Sequence, residues 1–290
     1  MIRKDYSFGN KLLLFLIVMI CALGAQSQGR KPMKSTFESF LDTQWWLGIR
    51  FGINYTDPNV SRRLSAFSPI NYEEGALGKR YNSFQNPGAH AGMDLSFYHK
   101  GFSLGLQPSY KRVNYSYAQE LVWTGDTDQD RFETVYKINQ YLNFIEIPFT
   151  LQYEIYKKGK IRPYVLAGTH SSFLISAGKD TKVTHRDFSS IDPQGYSGGS
   201  FSKGVKNEFQ NYFGLLGGVG AAFDYFNIRT VLGVTYMHAL SSVSKQNTAY
   251  ADDQLSSLGE ANDRIKLNNI NASISLVFPL RYIDKTFQPY

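Results

Sequence analysis

The sequence of 290 residues predicts an all-β protein, namely a transmembrane antiparallel up-and-down β-barrel, most simply of eight strands. Three observations lead to this fold class. Strand-length segments alternate apolar and polar residues, long polar connections alternate with tight turns, and the chain begins with a secretory signal. The alternation places one face of each strand in an apolar medium and the other in a polar one, because successive side chains point to opposite faces.

The first 27 residues have the parts of a secretory signal peptide. Arg3 and Lys4 precede the apolar run Leu12–Leu23, and the small residues of Ala25–Ser27 suit cleavage. A retained anchor helix is the alternative, but the run is shorter than the roughly 20 apolar residues that span a bilayer. Cleavage would remove Cys21, the single cysteine of the chain, so the mature protein would have neither a disulfide nor a thiolate metal site.

The rest of the chain divides into two parts. Residues 28–43 are interpreted as a periplasmic N-terminal segment, and residues 44–290 as the barrel domain. The formal net charge of +7 is scattered, without a clustered basic patch among aromatic residues, so nucleic acid is not an expected partner. The 20 tyrosines and 21 phenylalanines suit the aromatic girdles of an outer-membrane barrel.

The strands follow from the alternation, segment by segment. The first is typical, because apolar residues occupy every second position and small, polar or charged residues occupy the others. The fourth is long enough to protrude from a bilayer, and the faces of the fifth are the least clearly separated. In order, the predicted strands are Trp45–Tyr55, Gly88–Tyr98, Phe102 to about Ala118, about Phe132–Tyr156, about Ile161–Ser176, Phe209–Tyr225, about Ile228–Leu240 and Asn268–Tyr282.

The connections between these strands are asymmetric. Long polar loops follow the odd-numbered strands up to the seventh, including 178–207 after the fifth, and tight turns follow the second, fourth and sixth. An even strand count with long extracellular loops and short periplasmic turns is typical of an outer-membrane barrel. Closure also leaves no unpaired edge in lipid. Ten strands would result if a long loop contained a hairpin. A soluble β-sandwich is the alternative fold, but it seldom shows this loop asymmetry.

The alternation also assigns side chains to the lipid or to the lumen. Because an eight-stranded barrel is narrow and buried charges need partners, we expect a paired polar network that plugs the lumen; a proton or ligand path is the alternative. The predicted lipid-facing residues are Trp45, Leu47, Ile49, Phe51, Ile147, Phe149, Leu151, Ile274, Leu276 and Phe278. The predicted lumen network is Arg50, Asp94, Lys111, Glu146, Glu154, Arg162, Asp224, Arg229 and Arg281.

One acidic loop has the spacing of a calcium site. Asp126, Asp128 and Asp130 alternate as in an EF-hand loop, but Arg131 stands where that loop needs glycine, and the bidentate acid is missing. A solvated acidic loop is the simpler interpretation. No cofactor site is predicted.

The histidines do not predict a catalytic centre. His90 and Asp94 share a face, but four strand residues separate them by about 13 Å, too far for a dyad. His170 adjoins Ser171 and Ser172, and chain neighbours on opposite faces lack the reach of a nucleophile–base pair. The protein is therefore predicted not to be an enzyme.

Two segments carry a family resemblance. Tyr141–Tyr153 (YLNFIEIPFTLQY) followed by Arg162–Gly168 (RPYVLAG) resembles the paired signature of PorT-like small outer-membrane barrels, approximately Y-L-E-I-P-L-x-L-K-Y and K-P-Y-x-x-A-G. Asn143 and Phe144 stand where that motif goes directly to the acid. The resemblance spans most of the mature chain and implies a multi-pass barrel in the outer membrane of a Gram-negative-type cell. Through the family's namesake it also implies a link to type IX protein secretion.

Two functions are consistent with these observations. In the first, the protein is a non-enzymatic accessory or partner subunit of an outer-membrane secretion or assembly system, with outer-membrane lipid and the proteins of that complex as its partners. In the second, it is a stand-alone barrel that binds a ligand or surface partner, or that forms a narrow transport path. Fold alone does not decide between them.

Overall fold

The computed structural model describes residues 43–63, 79–124, 131–156, 161–189, 195–225, 228–245 and 262–280. The predicted signal peptide and all but the last residue of the predicted periplasmic segment lie outside this part of the chain. So do the acidic loop residues Asp126, Asp128 and Asp130, and the predicted lumen residue Arg281.

Antiparallel strands make up almost all of the described structure. In the described ranges, no helix has the length and apolar character needed to cross a membrane. The strands are β1 (Thr43–Arg62), β2 (Arg80–Asn82), β3 (Pro87–His99), β4 (Phe102–Leu106), β5 (Ser109–Thr124), β6 (Arg131–Glu154), β7 (Ile161–Asp187), β8 (Gly195–Gly204), β9 (Tyr212–Tyr225), β10 (Ile228–Ala239) and β11 (Arg264–Pro279), with a 3₁₀ helix at Lys206–Glu208.

Eight strand positions close into a ring, which confirms the predicted barrel. The ring runs β1, β3, β4 with β5, β6, β7, β9, β10 and β11, and β11 pairs back with β1 from Trp46 to Arg62. The predicted third strand is in fact β4 and β5, interrupted at Gln107 and Pro108, and β3 pairs with both halves. The backbone N–H of Met93 donates to the Pro108 carbonyl across this break (2.9 Å), so the wall remains continuous.

The turn between β3 and β4 is as tight as the sequence predicts. Lys100 has φ 48° and Gly101 has φ 97°, so both central residues of the two-residue connection are left-handed. Such turns match the twist of the paired strands, and glycine adopts this conformation without steric cost.

The extracellular ends of the strands are longer than predicted. β7 continues to Asp187 rather than ending near Ser176, and β8 pairs with it from Gly178 to Arg186. The segment 178–207, predicted as a long loop, instead contains the end of β7, all of β8 and the first two residues of the 3₁₀ helix, so a β-hairpin lies within it. The short strand β2 pairs with β5, at the edge of the wall opposite to the edge formed by β8.

A β-bulge lies near the end of the predicted fifth strand, and the two faces before it looked mixed because its inward side includes the apolar Tyr164 and Leu166. Asn143 of β6 lies opposite Ser176, whereas Phe144 lies opposite Leu174, so Ile175 is one extra residue on β7. An extra residue exchanges the faces of every position that follows it. Even-numbered residues such as His170 point inward before the bulge, and odd-numbered residues such as Ala177 point inward after it.

An exposed apolar band surrounds the lower part of the barrel. Along β6 and the residue that follows it, the band extends from Ile145 to Ile155 at every second residue, which spans about 25 Å at the usual rise and tilt of a barrel strand. This is the height expected for the lipid-facing band of an outer-membrane barrel.

Above the band, part of the wall continues as an open extension. We call the extracellular sheet the set formed by β2, residues 112–124 of β5, residues 131–143 of β6, residues 176–187 of β7, and β8, in the order β2-β5-β6-β7-β8. Its inner face carries a buried apolar core that includes Val113, Tyr115, Ile138 and Leu142. Side chains from the opposite wall join this core, among them Ile265 and Leu267 of β11.

Candidate functional site

The lumen contains a ladder of polar clusters. The lowest lies beside the periplasmic turns, where Glu154 of β6, Arg162 of β7, Asp224 of β9 and Arg229 of β10 meet. Arg229 donates from Nε to Asp224 Oδ1 (2.6 Å) and from Nη1 to Glu154 Oε1 (3.2 Å). Arg162 Nη2 lies 2.9 Å from Asp224 Oδ2. Two carboxylates and two guanidiniums therefore neutralise each other in formal charge.

Aromatic side chains complete this lowest cluster. The Tyr98 hydroxyl donates to Glu154 Oε2 (3.1 Å), and the Arg229 guanidinium carbon lies 4.6 Å from the Trp46 ring centroid and 5.0 Å from that of Tyr98. Cation–π contacts of this kind are stronger where water is excluded. The cluster therefore closes the periplasmic end with packed rings as well as ion pairs.

The middle cluster is built on Arg50 and Asp94, with Gln107 between them. Gln107 Nε2 donates to Asp94 Oδ2 (3.0 Å), the Arg50 guanidinium donates to Gln107 Oε1, and Arg50 Nη2 donates to Ser273 Oγ (2.9 Å). A cavity of about 40 Å³ lies beside these residues. That volume holds a few water molecules and does not hold a drug-sized ligand.

The upper cluster centres on a fully buried ion pair. Lys111 Nζ lies 2.9 Å from Glu146 Oε2 and 3.4 Å from the sulfur of Met237. Ser172 Oγ donates to the same carboxylate oxygen (3.4 Å), and His170 Nδ1 lies 4.0 Å from it. The charge of Glu146 is therefore held by a cation and a hydroxyl in a buried site.

Apolar side chains close the lumen above Glu146. Phe144 is fully buried and packs edge-on against Tyr212, with 5.2 Å between the ring centroids. Tyr212 also packs edge-on against His170 at 5.6 Å. These rings join the lumen to the buried core of the extracellular sheet, so the polar ladder ends beneath an apolar layer.

The structure brings together a histidine and a serine that the sequence analysis had kept apart. The Nδ1 atom of His170 lies 3.4 Å from Ser172 Oγ, because the two residues are two positions apart on the same strand face. The argument from opposite faces applies to Ser171 and is wrong for Ser172. Both side chains of the observed pair are buried, and the Ser172 hydroxyl donates to Glu146 rather than to the histidine.

The predicted lumen residues fall into these three clusters. Eight of the nine are described, and all eight point inward; Arg162 and Asp224 are half-buried and the other six are buried. The sequence analysis left out the uncharged members Gln107, Tyr98 and Ser172. Their positions on the inward face were a usable signal, but their hydrogen bonds depend on which strands are neighbours in the ring.

The ten predicted lipid-facing residues all lie on the outer wall. Leu47 and Ile147 are half-buried between neighbouring side chains, and the other eight are exposed. In the part of the chain that the structure describes, no group of three or more His, Cys, Asp or Glu side chains is placed to hold a metal ion.

Charged groups at the extracellular end of the molecule pair locally. Glu133 accepts from the Arg131 guanidinium and lies 3.6 Å from Arg186 Nη1. The backbone N–H of Ser189 donates to Asp187 Oδ1 (2.9 Å), and this hydrogen bond holds the pKa of the exposed Asp187 carboxyl below its ordinary value.

Comparison with known proteins agrees with this architecture. The family model described as "Outer membrane protein beta-barrel domain" matches residues 25–245, which is most of the chain. No curated protein sequence matches the chain. The solved structures that are similar include Ail, the attachment invasion locus protein of Yersinia pestis, in complex with the heparin analogue sucrose octasulfate (12% identity, 81% of this chain and 99% of that chain, TM-score 0.30).

Two further similar structures come from Neisseria. Neisserial surface protein A is 9% identical over 80% of this chain and 95% of that chain, with a TM-score of 0.31. The translocator domain of autotransporter NalP from Neisseria meningitidis is 7% identical over 94% of this chain and 97% of that chain, with a TM-score of 0.19. The chain belongs to the outer membrane protein beta-barrel domain family, which confirms the predicted fold class and the predicted location in the outer membrane.

Proposed function

We propose that this protein is a non-conducting, non-enzymatic outer-membrane barrel that acts as a partner subunit and makes its contacts through the extracellular sheet. The observation that carries this proposal is the filled lumen. Three polar clusters occupy successive levels, and the cavity beside the middle cluster has a volume of about 40 Å³. A barrel of eight strands leaves room for side chains and not for an aqueous channel.

The energetics of the lumen support a permanent plug. Lys111 and Glu146 are buried together, and separating them to admit an ion or a solute would leave a buried charge without its partner, which costs several kcal/mol. The apolar layer of Phe144 and Tyr212 lies directly above the pair. Passage would therefore require both polar and apolar contacts to open.

The extracellular sheet supports the contact role. Its outward face presents polar side chains such as Asn114, Asn139 and Lys182, while its own core holds it rigid. A rigid, solvent-facing sheet that continues a membrane barrel can bind another protein without a large ordering cost.

The partner that we propose is a protein secretion or assembly complex of the outer membrane, of the type IX kind. The support is the paired signature at 141–153 and 162–168, which resembles that of PorT-like barrels. In the structure these two segments are neighbouring strands: Tyr153 lies opposite Val165, and Leu151 lies opposite Ala167. A stand-alone barrel that binds a ligand or a surface partner is the alternative.

Co-purification tests the proposal. The protein, tagged after residue 290, would be extracted from native outer membranes in mild detergent, with an unrelated tagged barrel of similar size as the control. We expect near-equal amounts of outer-membrane complex components with the protein and none with the control. Recovery of the protein alone, in folded and heat-modifiable form, would contradict the partner role.

Planar-bilayer recording tests the absence of conduction separately. We expect no recurrent conductance steps from the purified protein under conditions in which a porin conducts. Reproducible steps that change when Glu146 is replaced by Gln would identify the lumen as a transport path and would contradict the plugged barrel.

A further inference from the structure

The outer wall changes character within one residue pair at the top of the apolar band. Tyr110, Ile145 and Phe173 form an exposed apolar row across β5, β6 and β7, and on β7 the exposed bulge residue Ile175 extends it one position higher. The next outward row begins with Arg112, which lies opposite Asn143. This boundary marks the height at which lipid headgroups of the outer leaflet meet the wall.

A groove of about 290 Å³ opens on the outward face immediately above this boundary. Three neighbouring strands contribute outward side chains, namely Arg112 and Asn114 from β5, Asn139 and Tyr141 from β6, and Asp180 from β7, and Asn86 and Pro87 at the start of β3 complete the rim. Its volume approaches that of small-ligand sites in proteins. Most of its lining is on the outward face of the sheet, and Tyr115 and Gln140 of the inner face also border it.

The groove is held in shape by contacts among its own residues. The Arg112 guanidinium carbon lies 4.8 Å from the centroid of the Tyr141 ring, and Arg112 Nε donates to Asn114 Oδ1 (3.3 Å). Asn114 Nδ2 donates in turn to the Pro87 carbonyl (2.7 Å). A Cβ at Gly178 would collide with the Tyr141 hydroxyl, so this glycine is what allows the tyrosine to lean across the sheet.

We propose that this groove binds the saccharide headgroup of an outer-leaflet glycolipid. Sugar hydroxyls both donate and accept hydrogen bonds, and the groove offers amide donors and acceptors, a guanidinium donor and a carboxylate acceptor around one aromatic ring. Asn139 and Asp180 lie opposite each other across β6 and β7 and can engage neighbouring hydroxyls. A bare phosphate fits less well, because the Asp180 carboxylate shares the groove with Arg112.

The position of the groove favours a lipid over a dissolved sugar. A glycolipid whose chains lie against Tyr110 and Ile145 presents its headgroup one row higher, at the groove. This confinement raises the effective concentration of the headgroup far above that of a free saccharide. The inference goes beyond the proposed partner role, because it concerns the membrane and not a protein complex.

Native mass spectrometry of the full mature chain in detergent tests the proposal. One arm titrates rough lipopolysaccharide, and the other titrates the core saccharide released from its lipid. We expect glycolipid binding that weakens at least about tenfold in the double variant Asn139→Ala, Asp180→Ala, since it loses two sets of hydrogen bonds. Gly178→Ala, which displaces Tyr141, should weaken binding about threefold.

Lys182→Ala is the matched control, because Lys182 lies two residues beyond Asp180 on the same outward face and does not line the groove. Its glycolipid affinity should equal that of the unmodified protein. All variants should show the heat-modifiable migration of a folded barrel. Equal affinity in the double variant, an equal loss in Lys182→Ala, or equal affinity for the free core saccharide would overturn the proposal.

Discussion

The membrane-spanning part of β6 and its extracellular part have the same backbone geometry and opposite surfaces. From Ile145 to Glu154, the part of β6 nearer the periplasm, the outward residues are apolar, as at Phe149 and Leu151. The inward residues of this part include the charged Glu146. Toward the extracellular end, from Phe144 back to Phe132, most inward residues are apolar, as at Leu142 and Ile138, and most outward ones are polar. The inversion occurs within two residues of one uninterrupted strand.

This comparison shows that the surrounding medium, and not the strand, decides which face is apolar. In lipid the outer face must be apolar and the narrow lumen holds paired charges. In water the same wall must bury its apolar side chains on the inside, as a soluble sheet does. Asn143 and Phe144, which depart from the PorT-like motif, lie at the point where one pattern replaces the other.

The largest effect should come from breaking the buried pair of the lumen. Lys111→Met leaves Glu146 charged and buried, and we expect a loss of about 3–5 kcal/mol in the free energy of unfolding. The measurement is denaturant unfolding in lipid vesicles, followed by tryptophan fluorescence. The double variant Lys111→Met, Glu146→Leu should recover most of this loss. A single variant as stable as the unmodified protein would show that the pair does not hold the lumen.

Leucines of β6 allow a matched comparison of the two regions. Leu142 is 0% exposed in the core of the extracellular sheet, whereas Leu151 is 49% exposed on the outer wall. Leu142→Ala should lower the free energy of unfolding by about 2–5 kcal/mol, because it removes buried apolar atoms and leaves a cavity. Leu151→Ala should cost less than about 1 kcal/mol, because its neighbourhood in lipid changes little. Equal costs in the same unfolding assay would argue against a packed extracellular core.

A lysine introduced on the outward face should have different effects on stability in the two regions. Leu151→Lys places a cation in the apolar band and should cost about 2–4 kcal/mol. Asn139→Lys adds the same charge to the outward face of the extracellular sheet and should stay within about 0.5 kcal/mol of the unmodified protein. The assay is again vesicle unfolding, together with the yield of folded barrel. If Leu151→Lys left the free energy of unfolding unchanged, the outward position of Leu151 would lie outside the membrane.

The smallest effect should come from an exposed ion pair on the extracellular sheet. Arg80 of β2 pairs with Glu120 of β5, and both side chains contact solvent. Glu120→Gln should cost less than about 1 kcal/mol, and the cost should shrink as salt is added. A larger, salt-independent loss would mean that this pair is buried by a further part of the molecule.

The barrel itself followed from the sequence because alternation and loop asymmetry are local signals. The eight ring positions and the apolar rows around Phe51, Phe149 and Ile274 were all predicted. Residues 131–143 alternate in the same way, but the sequence analysis did not predict that their apolar face forms a second core. A period of two shows that the two faces differ and does not show which of them contacts solvent. β8, with its glycines and serines, had the composition of a loop, and only its pairing with β7 makes it a strand.

The lumen clusters were predictable in composition and not in arrangement. Charges of both signs on inward positions indicate a paired network, but the partners depend on register. Glu154 meets Arg229 across 75 residues of sequence, and Arg50 meets Ser273 across 223. The bulge at Ile175 is equally invisible in the alternation of β7 alone, because it appears only as a mismatch against β6.

A cysteine scan along β6 tests the central inversion most directly. Removal of the predicted signal would leave no native cysteine, so single substitutions can be labelled without interference. With a water-soluble maleimide on intact cells, we expect fast labelling at Lys137, which is outward and does not line the groove, and protection at Phe149 and Leu151, where a lipid-borne quencher should instead reduce the fluorescence of an attached probe. Ile138 and Leu142 should be protected from both reagents. Labelling at Phe149 and Leu151 as fast as at Lys137, or quenching by lipid at Lys137, would contradict the account.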